Sequence, residues 1–214
     1  MRIEGEHIFH GPRQEVWALI RDPDALAKAL PGTETLNKLS ENKYEGTMNV
    51  RIGPINGSFA GKVIIADEVP PESCSLTAEG KGPQGFARGA GHIQLIDQGD
   101  GSTLLKYDGD LQIGGRLASV GQRSLDTVSK SMIRQGLESL NGALQVRVTA
   151  QATGKEVTYV PPTEAKFAAA VVKDMAGEML SSTQAVWARL AIVAALALLI
   201  GFLLGRMSRR GERR

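Results

Sequence analysis

The sequence predicts an α+β fold: a curved antiparallel sheet wrapped on a long C-terminal helix, with a membrane-anchor helix beyond it. Three observations carry this reading. Apolar residues alternate with period two through most of the stretch from Tyr44 to Ile113, as in strands that bury one face. From Arg116 to about Val148 there is no proline, and apolar residues fall at helical spacing. Every residue from Leu190 to Leu204 is apolar.

Taken in order, residues 2–9 read as a first strand. Pro12 opens a short helix with Val16, Trp17 and Ile20 on one stripe. Asp22-Pro23 caps a second helix, which stops at Leu30-Pro31-Gly32. In the next strand Tyr44, Met48, Val50 and Ile52 share a face, with Glu45, Thr47, Asn49 and Arg51 on the other. Asn56-Gly57 is expected to turn the chain, so that Phe59, Val63 and Ile65 point inward before Pro70-Pro71 ends the strand. Cys74, Leu76 and Ala78 continue the pattern, and a glycine-rich strand follows from Gly85 to Ile96. After a Gly99-Asp100-Gly101 turn, Leu105, Tyr107, Leu111 and Ile113 alternate with Lys106, Asp108, Asp110 and Gln112. The closing helix aligns Leu117, Val120, Leu125, Val128, Met132, Ile133, Leu137, Leu140 and Leu144. Laid across the apolar face of the sheet, that stripe is buried. The few aromatics leave two readings of the interior open, an apolar cavity lined by aliphatics or a filled core.

Beyond this domain, 1–149, the residues read as a flexible stalk (150–183), a hydrophobic anchor (184–205) and a basic tail (206–214). Gln151 to Pro162 is polar and ends in Pro-Pro. Thr163 then caps an alanine-rich segment with Phe167, Val171, Met175 and Met179 four apart, either an amphipathic helix or a solvated spacer. As a coil the stalk reaches roughly 30–35 Å. In the anchor, Leu196, Leu199 and Phe202 meet the acyl chains. Trp187 and Arg189 seat one end, and Arg206, Arg209 and Arg210 seat the other at headgroups. Fifteen apolar residues span roughly 22 Å against a hydrocarbon core of about 30 Å, so the segment reads as a helix that either spans or dips.

The formal charge of +2 hides an asymmetry: residues after Gly205 hold five of the 25 basic residues and one of the 23 acidic ones. The remainder is close to neutral, which argues against nucleic acid as a partner. No signal-peptide run is seen at the N-terminus, so the expected location is the cytoplasmic face of the cell membrane. A lone cysteine, Cys74, excludes an internal disulfide or a multi-cysteine metal site and reads as a small buried hydrophobe. His7, His10 and His92 lack ligand spacing, and no metal is expected. Gly80, Gly82 and Gly85 satisfy GxGxxG, but Pro83 interrupts it and a strand follows, so no helix N-terminus receives a phosphate. No catalytic set is found.

A set of motifs runs through about 1–148: Leu30-Pro31-Gly32, Gly53-Pro54-Ile55, Gly61, Pro70-Pro71, Gly80-Lys81-Gly82 with Gly85-Phe86, and most specifically Ile113-Gly114-Gly115-Arg116-Leu117-Ala118 leading to Gly121. On these residues the chain resembles the family of carbon monoxide dehydrogenase G subunits, within the START-like, helix-grip superfamily. The resemblance implies a non-enzymatic accessory protein. Such a protein binds a hydrophobic lipid, a respiratory quinone, and serves or recruits a molybdenum hydroxylase of the carbon monoxide dehydrogenase type at the membrane. No covalent cofactor is implied. The tail of such a ligand is expected against Met48, Val50, Ile52, Phe59, Val63, Ile65, Leu117, Val120, Val128 and Met132. Its head is expected near the Gly82–Phe86 loop, including Phe86, and the Gly114-Gly115 turn. Two alternatives stand beside this: a pure tether or assembly factor with a packed interior, and a small-molecule enzyme such as a cyclase. The latter would draw on Tyr107, with Arg88 or His92.

Overall fold

The computed structural model describes residues 1–30, 32–52, 55–153, 159–160, 163, 165–166 and 169–174, apart from the side chains of 51, 52, 55 and 120. Met1–Val172 form one compact unit. Its strands are β1 (Arg2–Phe9), β2 (Thr33–Ser40), β3 (Lys43–Ile52), β4 (Ile55–Val69), β5 (Ser73–Gly82), β6 (Gly85–Asp97) and β7 (Thr103–Gly114). They form one antiparallel sheet in the order β1-β7-β6-β5-β4-β3-β2. Two short helices, α1 (Arg13–Ile20) and α2 (Pro23–Ala29), connect the two edge strands. The long helix α3 (Gln122–Thr153) comes after the last strand.

The local chemistry explains most of these boundaries. The Asp22 carboxylate accepts from the backbone N–H of Asp24 and Ala25 at 3.0 and 3.1 Å, capping α2 where Pro23 presets the first helical φ. Gly99 and Gly101 take φ of 77° and 85°, left-handed values that glycine adopts without steric cost, and turn the chain between β6 and β7.

Four expectations are revised. The polar strand β2 emerges where no alternation announced one. TETLNKLS pairs only with β3, is mostly exposed, and shifts register twice, so its side chains carry little burial signal. Asn56-Gly57 is not a turn: Asn56 pairs with Arg51 and Gly57 with Val50, and the register runs on to Ile52 opposite Ile55. The closing helix does not start at Arg116. Gly115–Val120 winds as a 3₁₀ helix, Gly121 ends it at φ 92°, and only then does α3 begin. It continues five residues past Val148. Finally, Tyr159 returns to α3 from the expected stalk. Its hydroxyl donates to the Ser139 carbonyl at 2.8 Å and lies 2.8 Å from Ser139 Oγ, and its ring lies beside Gly142. Further on, Thr163 Oγ1 accepts from the Lys166 N–H at 3.3 Å, consistent with its expected capping role.

The core lies between α1, α2, α3 and one end of the sheet. Phe9, Val16, Leu19, Ala29, Leu95, Leu105, Leu140 and Leu144 form a single buried cluster. Two of its buried polar groups are satisfied by backbone carbonyls: Thr103 Oγ1 donates to the Gly11 carbonyl at 2.8 Å, and Ser139 Oγ donates to the Ala29 carbonyl. Arg147 on α3 reaches Glu15 at 3.2 Å and Asp22 at 3.8 Å, adding exposed ion pairs across the same junction.

Leu144 is fully buried, and a Cβ on Gly11 would lie 2.9 Å from its Cδ2, so the site has little freedom to collapse. Leu144→Ala is expected to cost about 2–5 kcal/mol in urea unfolding. Ile64→Ala on the exposed face is expected to change stability by less than about 1 kcal/mol.

Candidate functional site

The inward face of the sheet changes character along its strands. In one transverse line Cys74, Ile93 and Tyr107 lie side by side, with Gly5 opposite Tyr107. In the next, Leu95 and Leu105 lead to His7. These large residues meet the helices. Moving away from the core, one line holds Ile65, Leu76, Gly91, Gly109 and Ile3, and the next Tyr44, Val63, Ala78, Gly89 and Leu111. The line after that holds Gly46, Gly61, Gly80 and Ala87. Where glycine and alanine form the floor, a cavity of about 680 Å³ opens. Ile20, Leu26 and Leu30 from the helical pair and Ile133, Leu137 and Leu140 from α3 also line it. That size and lining fall within the range of small-molecule sites, roughly 300–1,000 Å³ and mostly apolar.

The floor glycines differ in what they permit. A Cβ on Gly46 would strike the Thr35 carbonyl, and one on Gly91 would lie 2.6 Å from the Asp108 carbonyl, so close strand approach requires glycine there. At Gly80 the nearest atom to such a Cβ is the Ala60 carbonyl oxygen at 4.0 Å. At Gly89 it is the Asp110 carbonyl oxygen at 3.4 Å. Backbone geometry leaves room for a side chain at those two positions, yet none is present. The cavity is therefore partly a product of residue choice.

Of the residues expected against a ligand, Met48, Phe59, Val63 and Ile65 line this cavity. Val50 shares their face but lies further along β3, opposite Gly57 and outside the lining. Phe86 sits on the outer parity of β6, packed over Gly114 and 5.2 Å beneath the Arg88 guanidinium, because Ala87 and Gly89 are the residues that face inward. Gly85 and Gly115 make close backbone contacts, a Cβ on Gly115 lying 2.6 Å from the Gly85 Cα, so the loop expected beside a ligand's head is closely packed here. Leu117 and Val128 are buried and Met132 half-buried, all outside the lining. The helix residues that do line the cavity start at Ile133. The side chains of Ile52 and Val120 lie outside the described residues, as do Trp187, Arg189, Leu196, Leu199, Phe202, Arg206, Arg209 and Arg210. Sequence periodicity marked the stripe of α3 but not which turn crosses the floor. Glycines recurring in successive strands were the available signal, but the register that aligns them into one floor is set by strand pairing.

Few charged or reactive groups reach this space. The Arg21 guanidinium, on the rim, is paired with Glu68 at 2.9 Å and donates to the Glu41 carbonyl at 3.2 Å. The Tyr44 hydroxyl donates to the Arg21 carbonyl at 3.3 Å. Burial, reinforced by Glu68, pushes the Cys74 thiol above its ordinary range, so it stays protonated and is a poor nucleophile. Burial likewise raises the Tyr107 phenol, against a weaker pull from Lys130. Arg88 faces outward and pairs with Glu79 at 3.5 Å. His92 lies on the exposed parity, as do Asp108 and Asp110. Among the described residues no cluster of three His, Cys, Asp or Glu side chains is placed to hold a metal ion. No helix among them is long and apolar enough to cross a membrane. The expected anchor falls outside them.

Comparison with known proteins agrees with this architecture. The sequence profile of the carbon monoxide dehydrogenase G subunit, CoxG, matches residues 5–145. A conserved protein from Geobacillus kaustophilus is 28% identical, with a TM-score of 0.66 over 68% of this chain and 95% of its own. A START superfamily protein from Mycobacterium smegmatis superposes with a TM-score of 0.51 at 15% identity, covering 71% and 99% of the two chains. An aromatase/cyclase from a Streptomyces species gives 0.53 at 15% identity, covering 71% and 97%, a likeness of fold alone. No functionally curated protein matches the chain in sequence.

One titratable group near the site carries a pH dependence. His7 Nε2 is buried without a hydrogen-bond partner, and its ring meets Phe9 edge-on at 4.9 Å. Burial holds the imidazole below its ordinary 6.5, with Glu138 opposing and His10 adding to the shift. Above 6.5 both folded and unfolded chains leave it neutral. As pH falls below 6.5 the unfolded chain takes up a proton that the folded chain refuses, and stability is lost. Urea unfolding at pH 7.5 and pH 5 is expected to show this loss, and His7→Leu to reduce it.

Proposed function

The chain belongs to the family of carbon monoxide dehydrogenase G subunits, and from that premise we propose that it is a non-enzymatic carrier that shelters a hydrophobic lipid. The observation that carries this reading is the apolar cavity of about 680 Å³ above a glycine and alanine floor. An apolar void of this size loses packing contacts on every wall and regains them only when an apolar guest enters.

The lipid that fits the family's partner is a respiratory quinone. A molybdenum-containing carbon monoxide dehydrogenase releases electrons, and a quinone accepts them. Each isoprene of a quinone tail exposes about five carbons, so leaving it in water costs roughly 3–4 kcal/mol. Burying part of that tail offsets the cost and allows the head to reach an enzyme outside the bilayer. The anchor at 184–205 and its arginine tail hold the domain at the cytoplasmic face of the membrane, where the stalk raises its local concentration to the millimolar order. The protonated Cys74 thiol and the paired Arg21 leave little acid–base chemistry in the lining, which favours a carrier over a cyclase.

Native mass spectrometry of the full chain extracted from its own membranes is expected to show a bound isoprenoid. Repeated preparations without lipid would overturn the carrier reading. The double substitution Gly80→Leu with Gly89→Leu is expected to fill the floor and release the lipid, while the urea midpoint changes little. A second experiment addresses the tether. Truncation after Val172 keeps the compact unit and removes the anchor, and co-sedimentation of the partner dehydrogenase with membranes is expected to be lost. Unchanged co-sedimentation would remove the tether from the proposal.

A further inference from the structure

The hydroxyls of the cavity lining can be sorted by what already occupies them. The Tyr44 hydroxyl is held by the Arg21 carbonyl, and Thr35 Oγ1 accepts from the Thr47 N–H at 3.1 Å. Thr33 Oγ1, on the edge strand β2, is sealed from solvent and has no hydrogen-bond partner. The Tyr107 hydroxyl has no hydrogen-bond partner among the described residues, and its side chain is only half-buried.

Tyr107 occupies a boundary. On one side it packs against the core cluster, and on the other it lines the cavity beside Gly109 and Ile3. Its ring lies across Gly5, its register partner on β1. A Cβ at Gly5 would collide with the phenol oxygen and lie 2.7 Å from Cζ. The missing side chain at position 5 is the seat of the ring, and it fixes where the hydroxyl is presented. No other inward position on β6 or β7 combines a donor with this space: its neighbours are Ala87, Gly89, Gly91, Ile93, Gly109 and Leu111.

We propose that the Tyr107 hydroxyl is a donor subsite that holds a neutral carbonyl of the bound molecule at the β1 side of the cavity. This rests on the carrier reading above and adds to it an orientation: the carbonyl-bearing end lies near the core, and the hydrocarbon extends over the glycine floor. A neutral acceptor suits the place. Lys130, the cation whose charge acts on the phenol, is already engaged by Asp126 at 2.9 Å, and the desolvated phenol remains a protonated donor. An unpaired donor in an apolar wall also discriminates, because an analogue lacking the acceptor leaves it unpaired.

The test uses the full chain and Tyr107→Phe, which keeps the ring over Gly5. Each is titrated with two probes of equal length, a benzoquinone carrying a ten-carbon alkyl tail and the matching alkylbenzene without carbonyls. Tyr107→Phe is expected to weaken the quinone about fivefold or more and to change the alkylbenzene by less than about twofold. The carbonyl stretch of the bound quinone is expected at lower frequency in the wild type than in the variant. Equal effects on both probes, or an unshifted carbonyl stretch, would overturn the subsite while the carrier reading stands. If neither probe binds the wild type, the carrier reading falls and the subsite falls with it.

Discussion

The architecture depends on an uneven filling of one sheet face. Protein interiors close-pack, so a sheet and a helix held apart must be bridged by side chains or leave a void. At one end Phe9, Leu95, Leu105, Leu140 and Leu144 bridge them. At the other, Gly46, Gly61, Gly80, Gly89, Gly91 and Gly109 face inward and bridge nothing. The packed end keeps α3 off the sheet, and the bare end is left hollow. Because the strands run continuously through both regions, the core can hold the cavity open without any side chain standing inside it.

The helical pair contributes to both regions at once. Val16 and Leu19 enter the core, while Ile20, Leu26 and Leu30 line the cavity. The junction between α1 and α2 is tied to β4 by Arg21 and Glu68, whose side chains are each less than one-fifth exposed. An ion pair so placed adds little net stability, since desolvation offsets much of the attraction. Its effect is positional: it holds one wall of the cavity at a defined distance from the sheet. Ser139 joins the other end of α2 to α3 through the Ala29 carbonyl, and Tyr159 caps that link.

A fold shared with an aromatase/cyclase does not transfer its chemistry, because function lies in the groups that reach the site. Here those groups are a protonated thiol, a paired guanidinium and isolated hydroxyls on a largely aliphatic surface. Such a surface offers a guest shape and exclusion of water, and few hydrogen-bonding groups. The same logic explains why so few aromatics are needed. A large ring on the floor would occupy the space that a guest would take.

Much of this architecture is written locally. The alternation in β3 through β7, the Asp22-Pro23 cap, the Gly99-Asp100-Gly101 turn and the stripe on α3 all express short-range periodicity and backbone preference, so residues near one another in sequence suffice to reveal them. The apolar run 190–204 belongs to the same class, being a property of composition alone. What tertiary structure decided was register and crossing point. The floor of the cavity exists because glycines from β3, β4, β5, β6 and β7, far apart in sequence, fall on adjoining transverse lines. No local pattern states that they will. The same holds for the helix, where one stripe runs from Leu125 to Leu144 but only the turns from Ile133 to Leu140 lie over the bare region. The polar strand β2 and the return of Tyr159 to Ser139 are likewise long-range outcomes, set by an available sheet edge and an unfilled place beside Gly142.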